Sequence, residues 1–114
     1  MKELVIKQIG IAVLGAFIGW AVIVLPVWAE TARGAPLFDL HCAGCHANGG
    51  NIVRRGKTLK LKALEKNGYG TEAAIAEIVT HGKGNMSAYQ ERLTPEQIQT
   101  VSAYVLEQAH LGWR

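Results

Sequence analysis

Cysteine is scarce: the 114-residue chain has two, Cys42 and Cys45, and what is missing around them narrows their chemistry. A structural zinc site wants four soft or imidazole ligands at matched spacing, yet no further cysteine and no H-x3–5-H pair follows these two. A thioredoxin-type redox pair needs a strand running into a helix of a βαβ unit, and no β-rich run precedes Cys42. A disulfide between residues three apart is geometrically awkward and would leave His46 unexplained. Methionine is just as sparse, since one of the two is the initiator and Met86 stands alone. No segment alternates apolar and polar side chains, which excludes a sheet and makes the fold class all-α. Charge of one sign is missing too. The net charge is +3, and residues 30–114 hold ten basic against eight acidic side chains, a balance that gives nucleic-acid binding no support.

What is present is Cys42-Ala43-Gly44-Cys45-His46, a C-x-x-C-H pentapeptide and the attachment signature of a c-type haem. The two thiols can each add to one vinyl group of a single porphyrin. On a helical turn His46, four residues after Cys42, projects from the same face and comes under the iron as proximal ligand. One haem c per chain, held by Cys42 and Cys45, is the cofactor this predicts. It also answers a problem of size. Residues 30–114 can bury only a modest core, and a covalent porphyrin supplies apolar core atoms that the chain does not encode.

Residues 1–29 read as an export leader. Lys2 and Lys7 precede an uncharged run from Ile9 to Leu25, and Pro26-Val27-Trp28-Ala29 follows with small residues at the −3 and −1 positions of a signal-peptidase site. The run exceeds the ~7–15 residues of a signal core and approaches the ~17–25 that span a bilayer, so an uncleaved anchor is the competing reading. No twin arginine is present, which points to the general secretory route. Either way residues 30–114 form a cytochrome domain facing an extracytoplasmic compartment.

After the leader, Gly34 and Phe38 share one side of a short helix expected to start near Pro36 and to deliver Cys42. Ala47-Asn48-Gly49-Gly50-Asn51 is a compact loop. Arg54, Arg55, Lys57, Lys60, Lys62 and Lys66 are opposed only by Glu65, and this basic stretch is either a solvated face or a docking surface for an acidic partner. Thr71 caps a helix carrying Ile75, Ile78 and Val79, with Gly82 ending it. Thr94-Pro95-Glu96-Gln97 reads as a capping box with proline at the first helical position, leading into the stripe Ile98, Val101, Val105, Ala109.

Four side chains compete to be the second axial ligand. His41 lies on the proximal side with the thiols, His81 ends a helix where an imidazole is favoured without any metal, and His110 is off the apolar stripe of its helix. Met86, forty residues after His46 in a loop without periodicity, can wrap to the other face, and His/Met ligation is the arrangement of electron carriers. With both axial positions taken no site remains for a substrate, so the chain reads as a carrier and not an enzyme. The alternatives are a membrane-tethered cytochrome subunit and a haem sensor or peroxidase with a labile sixth ligand.

From Phe38 to Trp113 the residues resemble the cytochrome c6 family, the small class I c-type cytochromes of cyanobacterial and algal thylakoid lumens. The resemblance rests on Cys42-Ala43-Gly44-Cys45-His46-Ala47, Lys57-Thr58-Leu59-Lys60, Ala63-Leu64-Glu65-Lys66, Glu72-Ala73-Ala74-Ile75, His81-Gly82-Lys83, Met86, Arg92-Leu93 and Ala103-Tyr104-Val105-Leu106. It implies a class I cytochrome c fold of about four short helices, iron ligation by His46 and Met86, and packing of Tyr104 against Gly34 and Phe38 where the terminal helices cross. It also implies electron transfer from the cytochrome bf complex to photosystem I or a terminal oxidase, in the thylakoid lumen or periplasm. The family's usual Met-Pro-Ala-Phe is Met86-Ser87-Ala88-Tyr89 here, its common Lys-Lys-Glu-Ala is Lys60-Leu61-Lys62-Ala63, and His81 stands for a common asparagine. These departures mark a c6-like paralogue. The leader supplies a direct test: exported protein should give an N-terminal sequence starting at Glu30, whereas recovery of residues 1–29 intact in the membrane fraction would establish the anchored form.

Overall fold

The computed structural model describes residues 19, 21–23 and 28–114. Nearly all of the expected leader, including most of its apolar run, lies outside the described residues. Among those described, no helix is long and apolar enough to cross a membrane.

The described chain is helical: α1 (Trp28–His41), α2 (Ala43–His46), α3 (Leu61–Lys66), α4 (Glu72–His81) and α5 (Pro95–Leu111), with short 3-10 turns at Ala47–Gly49 and Arg55–Lys57. The helices expected from the sequence are α1, α4 and α5; α3 makes up the four that the resemblance implied, and α2 is a single turn that carries the haem motif. The caps formed where their side chains foretold them. Thr71 Oγ1 accepts the Ala74 N–H at 3.2 Å. Thr94 Oγ1 accepts from the Gln97 N–H at 3.2 Å while Gln97 Oε1 accepts from the Thr94 N–H at 2.9 Å, so two orphan donors of the first turn are satisfied reciprocally.

One helix begins elsewhere than expected. α1 starts at Trp28, not near Pro36, and keeps Pro36 inside it. An interior proline removes one backbone donor and crowds the preceding turn, and here the packing of α1 on α5 outweighs that local cost. A Cβ added at Gly34 would overlap the Cβ of Tyr104 and come within 2.9 Å of the Thr100 carbonyl oxygen. The two backbones therefore meet as closely as glycine permits. Phe38, one turn on, is buried and tilts its ring against Tyr104 at 5.6 Å between centroids.

The core is small. Phe38, Leu64, Ile75, Val79, Leu93 and the α5 stripe of Ile98, Val101, Val105 and Ala109 are the buried apolar side chains. Each long helix contributes one face, as its periodicity required. Because Gly34 allows no side chain, Gly34→Ala should lower the denaturant midpoint. Overpacking at a backbone contact costs about 1–3 kcal/mol, more than the ~0.5–1 kcal/mol that alanine gains over glycine inside a helix. A midpoint that stays or rises would mean the helices can separate freely.

Candidate functional site

α1 ends and α2 begins on either side of Cys42, which turns the chain and presents Cys42, Cys45 and His46 to one cavity of about 500 Å³. The two cysteines are not joined in a disulfide. Burial, with the neighbouring Cys45, pushes the Cys42 thiol up to about 11. Among the described residues no group of three or more His, Cys, Asp or Glu could hold a bare metal ion.

His46 is held by its far nitrogen. Nδ1 lies 2.8 Å from the Gly50 carbonyl oxygen, and a carbonyl can only accept, so Nδ1 carries the proton and Nε2 keeps its lone pair. That is the tautomer an axial ligand requires, with the oriented second bond typical of metal-bound imidazoles. The loop 47–50 that supplies this carbonyl is clamped from behind. Trp113 Nε1–H donates to the Leu59 carbonyl at 2.9 Å, its ring tilts against Phe38 at 5.1 Å between centroids, and a Cβ at Gly49 would lie 2.5 Å from the indole. The Leu59 N–H returns to the Gly49 carbonyl at 2.8 Å.

On the other wall Met86 lines the same cavity. Its N–H and carbonyl pair with those of Lys83, each at 3.0 Å, in a tight turn through Gly84 and Asn85. The turn folds back onto Gly82, whose φ of 68° and whose contacts exclude a side chain: a Cβ there would stand 2.5 Å from the Met86 carbonyl oxygen and 2.7 Å from the Ala88 nitrogen. Tyr89 closes this wall. Its hydroxyl donates to the His41 carbonyl at 2.9 Å, and burial pushes its pKa up, so it remains a donor.

Between the walls the lining is apolar, from Leu59, Leu64, Ile75, Val79, Val101 and Val105, with Asn51, Arg54, Lys57 and Asn67 at one end. Two of these polar groups organise the loop itself. Asn51 Oδ1 accepts from the Val53 and Arg54 N–H groups and its Nδ2 donates to the Lys57 carbonyl, at 2.8–3.0 Å. Asn67 Nδ2 donates to the Gly56 carbonyl and its Oδ1 accepts from Lys57 Nζ, at 3.0 and 2.8 Å. A cavity of this size, apolar inside, with two unpaired thiols, a tautomer-fixed imidazole and a thioether on its walls, fits a porphyrin bearing two carboxylates.

The four residues expected to hold the cofactor thus line one cavity. His41 lines it too, His81 is exposed and pairs with Glu77 at 3.4 Å, and His110 is exposed. Asn51, Asn67 and the Tyr89 hydroxyl went unread in the sequence. For Tyr89 a signal existed, because it departs from the phenylalanine that the resemblance leads one to expect.

Comparison with known proteins shows the family. The family model described as cytochrome c oxidase, cbb3-type, subunit III matches residues 29–105. A cytochrome c6-like protein of Nostoc sp. PCC 7120 is 58% identical over 90 residues, 78% of this chain and 81% of that relative. Cytochrome c6 of Aphanizomenon flos-aquae is 59% identical over 87 residues, 75% of this chain and 99% of its own length. Among solved structures, cytochrome c6C of Synechococcus sp. PCC 7002 superposes with a TM-score of 0.68 at 62% identity, covering 69% of this chain and 96% of that one. With its helices, its cavity and these relatives in hand, the chain belongs to the cytochrome c6 family, as a class I c-type cytochrome that carries one covalently bound haem and transfers single electrons.

Proposed function

We propose that Cys42 and Cys45 form the two thioether links, that His46 and Met86 are the axial ligands, and that the chain is a diffusible carrier with no enzymatic activity. The observation that carries this reading is the convergence of these four side chains on one cavity, with Nε2 of His46 left free by the bond from Nδ1 to Gly50. When bound, the haem supplies an iron that accepts and releases one electron. The protein's part is to hold both axial donors in place, so that little rearranges between oxidation states, and to keep water from the cavity with its apolar walls.

The electron donor and acceptor are proposed to be a cytochrome bf complex and photosystem I or a terminal oxidase, in a thylakoid lumen or periplasm reached through the leader of residues 1–29. Relatives named cytochrome c6 support this. The oxidase-subunit description of the matching family model, together with the length of the apolar run, favours a second reading in which residues 1–29 stay attached as a membrane tether.

The basic stretch divides in two. Lys57 Nζ and Lys60 Nζ are tied to Asn67 Oδ1 and to the Asn48 carbonyl, which gives them a part in loop structure. Arg54, Arg55 and Lys62 are exposed as well, beside the exposed apolar Ile52 and Val53. That combination suits a transient contact with an acidic redox partner, where small interfaces keep affinity low and charge steers encounter.

Two measurements test the reading. Met86→Ala should abolish the weak visible sulfur-to-iron charge-transfer band of the oxidised protein with the haem still covalently attached, while His81→Ala leaves the band in place. Survival of the band in Met86→Ala would remove Met86 from the iron. Arg55→Glu with Lys62→Glu should slow electron exchange with the partner roughly tenfold at low ionic strength, and the deficit should shrink as the Debye length falls to about 8 Å at physiological salt. A rate constant indifferent to both changes would make the stretch a solvated face.

A further inference from the structure

We propose that Tyr89 is a positioning residue for Met86: its hydroxyl bolts the Met86 loop to the break between α1 and α2 and keeps the thioether on the iron. The inference rests on the reading of Met86 as a ligand and adds to it what holds that ligand closed.

The break creates the acceptor. The Cys45 and His46 N–H groups both donate to the Cys42 carbonyl, at 3.1 and 2.9 Å, so helix hydrogen bonding passes over the His41 carbonyl one residue earlier. A helix-end carbonyl in a half-buried position needs a donor. Tyr89 supplies it from 48 residues away, at 2.9 Å. The tyrosine backbone belongs to the opposite wall: its N–H donates to the Val79 carbonyl, and its own carbonyl accepts from the Arg92 and Leu93 N–H groups, all at 2.9 Å. The Arg92 guanidinium lies over the ring at 5.4 Å from its centroid, which further fixes the ring's direction.

The hydroxyl therefore joins the methionine wall to the cysteine wall. Among the described residues no other hydrogen bond links residues 82–93 to residues 32–60. Among the described residues the backbone hydrogen bonds of Met86 stay within its own turn, to Lys83, and Ser87 and Ala88 follow without a proline to stiffen them. An opening of the Met86 loop that carries Tyr89 with it breaks the Tyr89 to His41 bond and strands that carbonyl. Its opening equilibrium should carry the cost of the bond.

External imidazole is the probe, because it binds ferric haem only when Met86 has left, so its apparent affinity reports the open population. Tyr89→Phe deletes one oxygen and keeps the ring. The ferric variant should bind imidazole about five- to tenfold more tightly than the parent, the factor expected for one net hydrogen bond and its stranded acceptor. Its sulfur-to-iron band should fade at a lower temperature, well before helix content is lost. Tyr104→Phe, which removes a hydroxyl on the far side of Phe38, should leave imidazole affinity unchanged. If the parent shows the band and Tyr89→Phe binds imidazole no more tightly, or if band and helix content melt together in the variant, the positioning role is overturned and Met86 ligation stands. A parent protein without the band would overturn the Met86 reading and this proposal with it.

Discussion

Everything in this molecule hangs on how closely α1 and α5 cross. Gly34 lets the α1 backbone rest against Thr100 and Tyr104, and that contact sets the direction in which α1 runs out to His41 and hands over to the haem motif. The same crossing presents Val101 and Val105 of α5 as the floor of the cavity. α4 packs on the remaining face of α5 through the buried Ile75 and Val79, so the distal wall takes its position from the same helix. A shift of the crossing would move both walls at once, which explains why an interior proline in α1 is tolerated while a methyl group at Gly34 is not expected to be.

A chain this short cannot fill a cavity of about 500 Å³ and still bury a large core. Its buried apolar residues form a single layer along α5. Opposite that layer, the cavity is enclosed largely by loops, and loops have no ladder of their own to hold them. Side chains do that work here. Asn51 and Asn67 gather residues 51–57, Trp113 clamps the loop behind His46, and Tyr89 joins the two walls. The Asn51 and Asn67 bonds are exposed and order the loop, whereas Trp113 and Tyr89 satisfy part-buried carbonyls, where an unpaired acceptor is costly. The covalent porphyrin then provides the core atoms the sequence omits.

This division of labour fits a carrier. The helices set the frame, and the segments proposed to bear the iron ligands are fixed to it by a few polar ties whose strength can be altered by single substitutions. Replacing proline by Ser87 and phenylalanine by Tyr89 exchanges local stiffness next to Met86 for a long-range tie. Membership of the c6 family says what the frame is for; such exchanges are where a c6-like chain can acquire a character of its own.

The sequence by itself determined whatever depends on neighbours within four residues. The C-x-x-C-H motif identified the cofactor, the Thr94 to Gln97 box and Thr71 placed helix starts, and the spacing of Ile98, Val101, Val105 and Ala109 marked the face that is buried. Those signals are local because helix hydrogen bonds and helix faces are local. Only the tertiary structure decided the start of α1, where contact with α5 overrides the proline signal, and the two uses of the basic stretch, in which Lys57 and Lys60 turn out to hold loops. It alone decided the partners of Tyr89 and Trp113, which lie 48 and 54 residues away in the chain. Which carbonyl a distant side chain reaches depends on the path of every segment between them, and no spacing rule encodes that path.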